Sequence, residues 1–183
     1  MRVTPTALPG VLILEPKVYT DERGFFIESF NQRAFDSAVG QAVSFVQDNH
    51  SCSQRGVLRG LHYQLPPHAQ GKLVRVVRGS AFDVAVDIRR GSPTFGHWVG
   101  FILDAVDNRQ MWVPAGFAHG FLALEDDTHF LYKTTAYYAR DCERAIAWND
   151  PAIGIDWPLA GMGPIVAAKD RIAPGLHEAE LFD

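Results

Sequence analysis

Apolar residues alternate with small or polar ones along this chain in runs too short for helices. The clearest run is residues 81–88, in which Phe, Val, Val and Ile at the even positions alternate with Ala or Asp at the odd positions. A period of two is typical of a β-strand, and the turn-forming segments 78–80 and 90–93 lie on either side of it. Similar runs follow one another at spacings of about 8–12 residues, which favours an all-β sandwich or barrel.

The remaining elements fit one all-β domain over residues 1–183, with a few short helices. One helix is predicted over 32–39, with Asn31 able to cap its start and Gly40 its end. The tail from about residue 158 has weak periodicity, so we expect it to wrap the sandwich as turns and short helices. Further strands are predicted at 56–64, 72–78, 98–103, 110–113, 121–124 and 129–135.

The distribution of charge indicates a small anionic ligand. The net charge is −4, which argues against a nucleic-acid partner. No Asp or Glu occurs from Asn49 through Phe82, although this window holds four arginines and Lys72. A cationic segment in an acidic protein suits a small anion, but solvated strand arginines would give the same pattern. With two cysteines, no long apolar run and no apolar leader, we expect a cytoplasmic protein without membrane contact.

Two motifs resemble those of the cupin superfamily, whose fold is a double-sheet jelly roll. Residues 114–119 have the form P-x-G-x-x-H, and the other motif lies upstream and contains His62. Metal-binding cupins have H-x-H there, and a Glu six residues before a turn glycine. This chain has Gln64 in place of the second His and Lys72 in place of the Glu, six residues before Gly79. Because a lysine would repel a metal ion and Gln is a poor ligand beside imidazole, we expect no metal.

Three side chains in these segments form a set suited to removing a proton next to a carbonyl group. His62 can act as a general base, Lys72 can stabilise an oxyanion, and the phenol of Tyr132 can act as an acid. Each has a structural alternative when taken alone. A strand histidine is more often structural, a tyrosine more often belongs to a core or rim, and a lysine is most simply solvated.

Several longer runs resemble one cupin family, the dTDP-4-dehydrorhamnose 3,5-epimerases. They include DERGFFIE at 21–28, FVQDNHS at 45–51, GVLRGLHYQ at 56–64 and WNDP at 148–151. The resemblance implies an enzyme without cofactor that inverts C3 and C5 of dTDP-4-dehydro-6-deoxy-D-glucose, giving dTDP-4-dehydro-L-rhamnose. It also implies a homodimer, in which the N-terminal region reaches the neighbouring subunit.

The same resemblance assigns roles to individual residues. It makes His62 the base, Tyr132 the acid and Asp170 the carboxylate that orients the imidazole. Lys72 matches the lysine near the keto oxygen, and Tyr138 is a candidate pocket wall. The other implied substrate-binding residues are Arg23 and Arg59 for the diphosphate, Glu28, Gln47 and Asn49 for the nucleotide end, and His119, Glu143 and Lys169. Glu28 on the surface and His119 packed in the barrel also have purely structural readings.

Three alternatives stay open at this point. Related enzymes invert only C3 or only C5 of similar dTDP-4-keto sugars and share the base and the fold. A metal-dependent cupin oxygenase is disfavoured by Gln64 and Lys72. A cupin that binds a nucleotide sugar without catalysis would share most of the binding residues.

Overall fold

Strands dominate residues 1–161 and 163–183, which this computed structural model describes. The helices are α1 (Gln32–Val39) and α2 (Ala168–Arg171), and a 3₁₀ turn spans Arg140–Cys142. Neither helix, within the described ranges, is long and apolar enough to cross a membrane. The strands are β1 (Arg2–Pro5), β2 (Leu12–Glu15), β3 (Val18–Asp21), β4 (Gly24–Ile27), β5 (Gln47–Ser53), β6 (Val57–Gln64), β7 (Lys72–Arg78), β8 (Ser80–Asp87), β9 (Trp98–Asp104), β10 (Gln110–Val113), β11 (Phe117–Ala123), β12 (Thr128–Thr134), β13 (Glu143–Ala145) and β14 (Ile165–Val166).

Two sheets pack face to face and enclose an apolar core. The first sheet has the order β1-β2-β10-β7-β12-β5, and the second has the order β13-β6-β11-β8-β9. The core between them joins Val76 and Phe130 of the first sheet to Ala85, Phe117 and Phe121 of the second. This arrangement confirms the predicted all-β, cupin-type double-sheet jelly roll.

The outer face of each sheet is covered by a different part of the chain. Phe35 of α1 packs with Leu73 and Trp112 on the first sheet. On the second sheet, Trp157 and Leu176 of the tail pack in one cluster with strand residues such as Val84, and β14 pairs with β6 in parallel. The tail therefore belongs to the hydrophobic core of the second sheet and does not merely lie over it.

Most predicted elements are present, with two differences. Asn31 and Gly40 cap α1 as expected: the Asn31 Oδ1 accepts from the Ala34 N–H at 3.1 Å, and Gly40 has a φ of 79°. The strand predicted at 121–124 instead begins at Phe117, because the turn ends with Gly116 at a φ of 92° and the chain then extends at once. Strands β1 to β5, β13 and β14 were not predicted, since they are short or, like the sequence QDNHSCS of β5, almost wholly polar.

Strands β6 and β11 approach each other unusually closely beside the predicted base. A Cβ added to Gly60 would lie 2.6 Å from the Cα of Gly120, so only glycine fits at this point. The pairing register shifts here, and His62 of β6 lies directly opposite His119 of β11. The two cupin motifs are thereby joined within one sheet.

Candidate active site

A cavity of about 130 Å³ is lined by strands of both sheets. Its wall brings together residues that are far apart in the sequence, from β5, β6, β7, β12 and β13. Seven of the predicted site residues line it: Gln47, Asn49, His62, Lys72, Tyr132, Tyr138 and Glu143.

The predicted base lies against the predicted carboxylate. The His62 Nε2 and the Asp170 Oδ1 are 2.7 Å apart, and Asp170 is 2% exposed. The Gly60 N–H also donates to the other oxygen of Asp170 at 3.5 Å. Burial alone would raise the pKa of Asp170, but the hydrogen bond and charge of His62 lower the pKa overall. Asp170 is therefore ionised near neutral pH, and a carboxylate so placed fixes the orientation of the imidazole ring.

Lys72 is buried, in contrast to the solvated lysine of the structural alternative. Its Nζ donates to the backbone oxygen of His62 at 3.3 Å. Burial lowers the pKa of Lys72 to about 8, although the negative charges of Asp83 and Glu143 act to raise it. Lys72 is thus mostly a cation at neutral pH, held close to the predicted base.

His119 lies in the interior and does not line the cavity. Its Nε2 and the Asp83 Oδ1 are 2.7 Å apart, and both residues are buried. Burial raises the pKa of Asp83, while His119 and Lys72 act against that rise. His119 is therefore packed in the barrel, as its structural alternative predicts. Its partner Asp83 was not indicated by the sequence.

Tyr132 presents a neutral phenol on the inner face of β12. Its neighbours across the sheet are Val74 on β7 and Asn49 on β5. Burial raises the pKa of Tyr132, and Glu143 contributes in the same direction. A phenol that keeps its proton throughout the working pH range is suited to donate one.

A hydrogen-bonded chain runs along the rim of the cavity. The Tyr138 hydroxyl donates to the Glu143 Oε2 at 3.1 Å, and the Lys169 Nζ donates to the Glu143 Oε1 at 3.0 Å. Burial favours a higher pKa for Glu143, but Lys169 and Tyr138 lower it overall. Lys169 also precedes Asp170 in α2, so this rim connects the tail to the pocket.

The basic residues of the cationic window, 49–82, lie in different surroundings. Arg59 is held by the Ser53 Oγ at 3.1 Å, near enough to the pocket to affect the pKa of Tyr132. Arg75 lines a neighbouring cavity of about 210 Å³, which shares Asn49 and Tyr132 with the candidate site. Arg78 pairs with Asp127 at 3.6 Å. Of the five positive residues in the window, Lys72 lines the candidate site directly.

Arg23 and Glu28 lie apart from the cavity of their own chain. Arg23 is in the β3–β4 hairpin and pairs with Asp21 at 2.5 Å, with 85% of its side chain exposed. Phe25 and Phe26 in the same hairpin are 63% and 68% exposed. Glu28 lines a different cavity of about 500 Å³ between this hairpin and α1. Neither residue lines the cavity beside His62 in this chain.

The sequence and fold match one family throughout. The family model described as dTDP-4-dehydrorhamnose 3,5-epimerase matches residues 5–178. The epimerase of Pseudomonas aeruginosa PAO1 is 59% identical over 100% of this chain and 99% of its own length. The chain belongs to the dTDP-4-dehydrorhamnose 3,5-epimerase family. The epimerase of Salmonella typhimurium LT2 is also similar, with 58% identity over the full length of both chains.

Solved structures of this epimerase family have the same fold. The Legionella pneumophila dTDP-6-deoxy-D-glucose-3,5-epimerase in complex with dTDP-4-keto-L-rhamnose is 51% identical, with a TM-score of 0.93 over 97% of this chain and 93% of that one. A 3′-monoepimerase from Streptomyces bikiniensis in complex with dTDP-quinovose is 38% identical, with a TM-score of 0.89 over 94% and 87% of the two chains. Enzymes that differ in the number of carbons they invert thus share this architecture.

At the positions that bind a metal ion in metal-binding cupins, this member of the epimerase family has side chains with other partners. His62 contacts Asp170, the amide of Gln64 binds backbone groups, and Lys72 contributes an amine. Within residues 1–161 and 163–183, no group of three His, Cys, Asp or Glu side chains is arranged to hold a metal ion.

Sequence reasoning missed two sets of residues that the epimerase fold brings to the site. Asp83 is close enough to Lys72 to raise its pKa, and in the sequence it is only one of the acidic residues on the small or polar side of an alternating strand. Gln64 and Gln70 bind the segment that carries Tyr138. The sequence indicates Gln64 only as a replacement for a metal ligand, because it does not show which backbone groups the amide will bind.

Proposed function

We propose that this chain, an isomerase, inverts C3 and C5 of dTDP-4-dehydro-6-deoxy-D-glucose and thereby forms dTDP-4-dehydro-L-rhamnose. The observation that carries the proposal is the His62–Asp170 pair at 2.7 Å in a pocket that also holds the buried Lys72 and the neutral Tyr132. The names of the family's members and the sugar bound to the Legionella pneumophila enzyme support the choice of substrate.

The reaction needs a base and an acid on opposite faces of the sugar ring. The C4 ketone acidifies the hydrogens on C3 and C5. His62 takes one of these protons. The electron pair of the broken C–H bond forms a double bond to C4, and the π pair of the C4 carbonyl moves onto O4, which gives an enolate with its charge on O4. The Lys72 cation stabilises that charge. Tyr132 returns a proton to the same carbon from the other face, which inverts the centre.

Asp170 stabilises the imidazolium that forms when His62 accepts the proton. Its own pKa is lowered, so it stays ionised while His62 becomes charged. Once His62 has released its proton to solvent and Tyr132 has taken one up, the same steps at the second carbon complete the conversion of a D-sugar into an L-sugar. No oxidant, reductant or cofactor is required for this balance of protons and electrons.

The remaining predicted residues bind the substrate away from the reacting carbons. The guanidinium groups of Arg59 and Arg23 suit the diphosphate, since their planar forks match phosphate oxygens. Gln47 donates to Asn49 at 2.9 Å, and this pair lines the pocket on the side proposed for the nucleotide end. Glu28, which lines a different cavity, is proposed to bind the same end of the substrate. Tyr138, Glu143 and Lys169 form the rim, and His119 supports the interior beneath Lys72.

We propose a homodimer in which each β3–β4 hairpin completes the site of the partner. The observation in support is the exposure of Arg23, Phe25 and Phe26 on a two-stranded hairpin outside both main sheets. Aromatic side chains and arginine are the types enriched at protein interfaces. Arg23 and Glu28 would then reach the nucleotide sugar in the cavity of the partner chain.

Mixed dimers test this arrangement. Subunits carrying Arg23→Ala and subunits carrying His62→Ala should each give dimers with a low kcat/KM. Random reassociation of an equal mixture gives about half hybrid dimers, each with one complete site, so kcat/KM should return to roughly a quarter of wild type. If both residues act within one chain, the mixture will be no more active than its components.

The number of inverted carbons is tested by solvent exchange. In deuterated water, we expect NMR to detect deuterium at both C3 and C5 of the dTDP-4-keto sugar, with inversion at both. Inversion at one carbon alone would make this chain a monoepimerase like the Streptomyces bikiniensis relative. Loss of activity on treatment with a chelator would favour the metal-dependent alternative.

We also propose that residues 1–183 form one domain. Trp157, Val166 and Leu176 of the tail belong to the same hydrophobic cluster as Leu58 and Val86 of the second sheet, which supports this organisation. A location in the cytoplasm stays a prediction from the sequence.

A further inference from the structure

The segment 136–139 crosses the pocket rim without regular secondary structure. It carries Tyr138, which is 55% exposed and lines the cavity beside His62 and Lys72. A segment outside a sheet has no ladder of backbone hydrogen bonds to hold it. Its position over the pocket must therefore come from other contacts.

Three glutamine side chains supply those contacts. The Gln70 Nε2 donates to the Ala136 oxygen at 2.7 Å, and the Gln47 Oε1 accepts from the Tyr138 N–H at 3.0 Å. Gln64 makes the most bonds. Its Nε2 donates to the Tyr137 oxygen at 3.2 Å and to the His68 oxygen at 2.7 Å, and its Oε1 accepts from the Ala139 N–H at 2.8 Å.

The chemistry of this contact requires an amide. Gln64 is 3% exposed, and both of its polar atoms are engaged with the backbone. A carboxylate at this position has no N–H group to donate, and an apolar side chain can neither donate nor accept a hydrogen bond. Buried polar groups left without a partner are costly, so replacing the amide frees the segment from its present position.

Gln64 also connects Tyr138 to the rest of the proposed machinery. It lies two residues after His62 on β6, and directly opposite Glu143 of β13. Glu143 accepts from the Tyr138 hydroxyl at 3.1 Å. Tyr138 is thus held at its own N–H by Gln47 and at its phenol by Glu143, while Gln64 holds the backbone of the two residues on either side of it.

We propose that Gln64 is a positioning residue, which fixes Tyr138 as the wall against which the sugar ring of the substrate is held. This inference rests on the proposed function, since it assigns Tyr138 a place beside the reacting ring. The position that binds a metal ion in metal-binding cupins would then orient a tyrosine through its backbone. Gln64 itself touches no substrate in this role.

The test is a double-mutant cycle with Gln64→Met and Tyr138→Ala, measured as kcat and KM for the dTDP-4-keto sugar. Misplacing a wall residue by about 1 Å costs up to roughly 10²-fold in rate, so we expect Gln64→Met to lower kcat about 10- to 100-fold. If Gln64 acts through Tyr138, the double variant loses no more than Tyr138→Ala alone. Losses that multiply, or a wild-type kcat and KM in Gln64→Met or in Tyr138→Ala, overturn the proposal.

Hydrogen exchange gives a readout that does not depend on turnover. In Gln64→Met, the amides of Tyr138 and Ala139 should exchange at least about tenfold faster than in wild type, because their segment opens locally. Unchanged exchange overturns the proposal. A wild-type protein that fails to epimerise the sugar while Gln64→Met shows faster exchange sinks the proposed function but leaves the contact intact.

Two further variants complete the design. Gln32→Met is the matched control, because Gln32 on α1 also donates to a backbone oxygen, that of Val43, but lies outside the pocket. It should leave kcat unchanged. If Gln64→Met fails to fold, Gln70→Met replaces it, since it removes the contact to Ala136 alone. The same absence of additivity with Tyr138→Ala is then expected, and multiplied losses again contradict the proposal.

Discussion

Replacing His62 with alanine is expected to lower kcat on the order of 10²–10⁴-fold, the contribution typical of a general base. His62 is the residue whose ring is held by a buried carboxylate inside the pocket. Without it, no group is placed to take the proton from C3 or C5, whereas the binding residues are untouched. The kcat for the dTDP-4-keto sugar and the rate of deuterium incorporation in heavy water should fall together.

Two controls separate the loss of the base from damage to the fold. His62→Gln keeps an amide N–H near the Asp170 carboxylate but cannot accept the proton, so it should lose as much activity as His62→Ala. His50→Ala removes an exposed strand histidine that contacts His129 at 3.0 Å, and should keep wild-type activity. A His62→Gln enzyme with near wild-type kcat would disprove the assignment of the base.

Replacing Lys72 with methionine is expected to lower kcat on the order of 10²–10³-fold, comparable to the loss of one oxyanion-stabilising donor. The enolate places its charge on O4, and Lys72 is the buried cation of the pocket. The thermal stability should change little, because methionine has a similar length and avoids the desolvation of a buried amine, which offsets the lost attraction between Lys72 and Asp83. A large loss of activity without a loss of stability is the pattern to seek.

The pH dependence of the wild-type enzyme provides a second measure of Lys72. Its pKa is lowered to about 8 by burial, and only the protonated form carries charge. We therefore expect kcat to decline as the pH rises through about 8, and Lys72→Met to lack this decline. Lys133→Met is the control, because Lys133 pairs with Asp48 at 2.9 Å outside this pocket. A flat alkaline profile in the wild type would contradict the role of the cation.

The fold could be predicted where burial imposes a pattern on the sequence. Strand β8 is buried on both faces but keeps its alternation, since the side toward the first sheet is small or acidic and the other side is large and apolar. Helix α1 was indicated by its two caps. Strand β5 was not, because its hydrogen bonds to β12 form along a polar sequence that no hydrophobic period marks.

The site was predictable to the extent that it resembles a family motif. His62, Lys72 and Tyr132 line one cavity, although they come from three strands. Arg23 lies outside that cavity, and residue spacing alone could not indicate this, because the distance between two segments depends on how hairpins and subunits pack. It also could not indicate the bonds of Gln64, which depend on the path of a loop more than 70 residues away.

The parallel pairing of β14 with β6 has a consequence for when the pocket becomes reactive. The two partners in the His62–Asp170 contact are separated by 108 positions, and one of them lies on the short helix after β14. A molecule with both sheets folded but the tail undocked would keep its cavity and its lysine, yet hold an imidazole without a carboxylate. We therefore expect turnover to depend on the docking of the tail, since local opening there would separate the carboxylate from His62 while the sandwich stays intact.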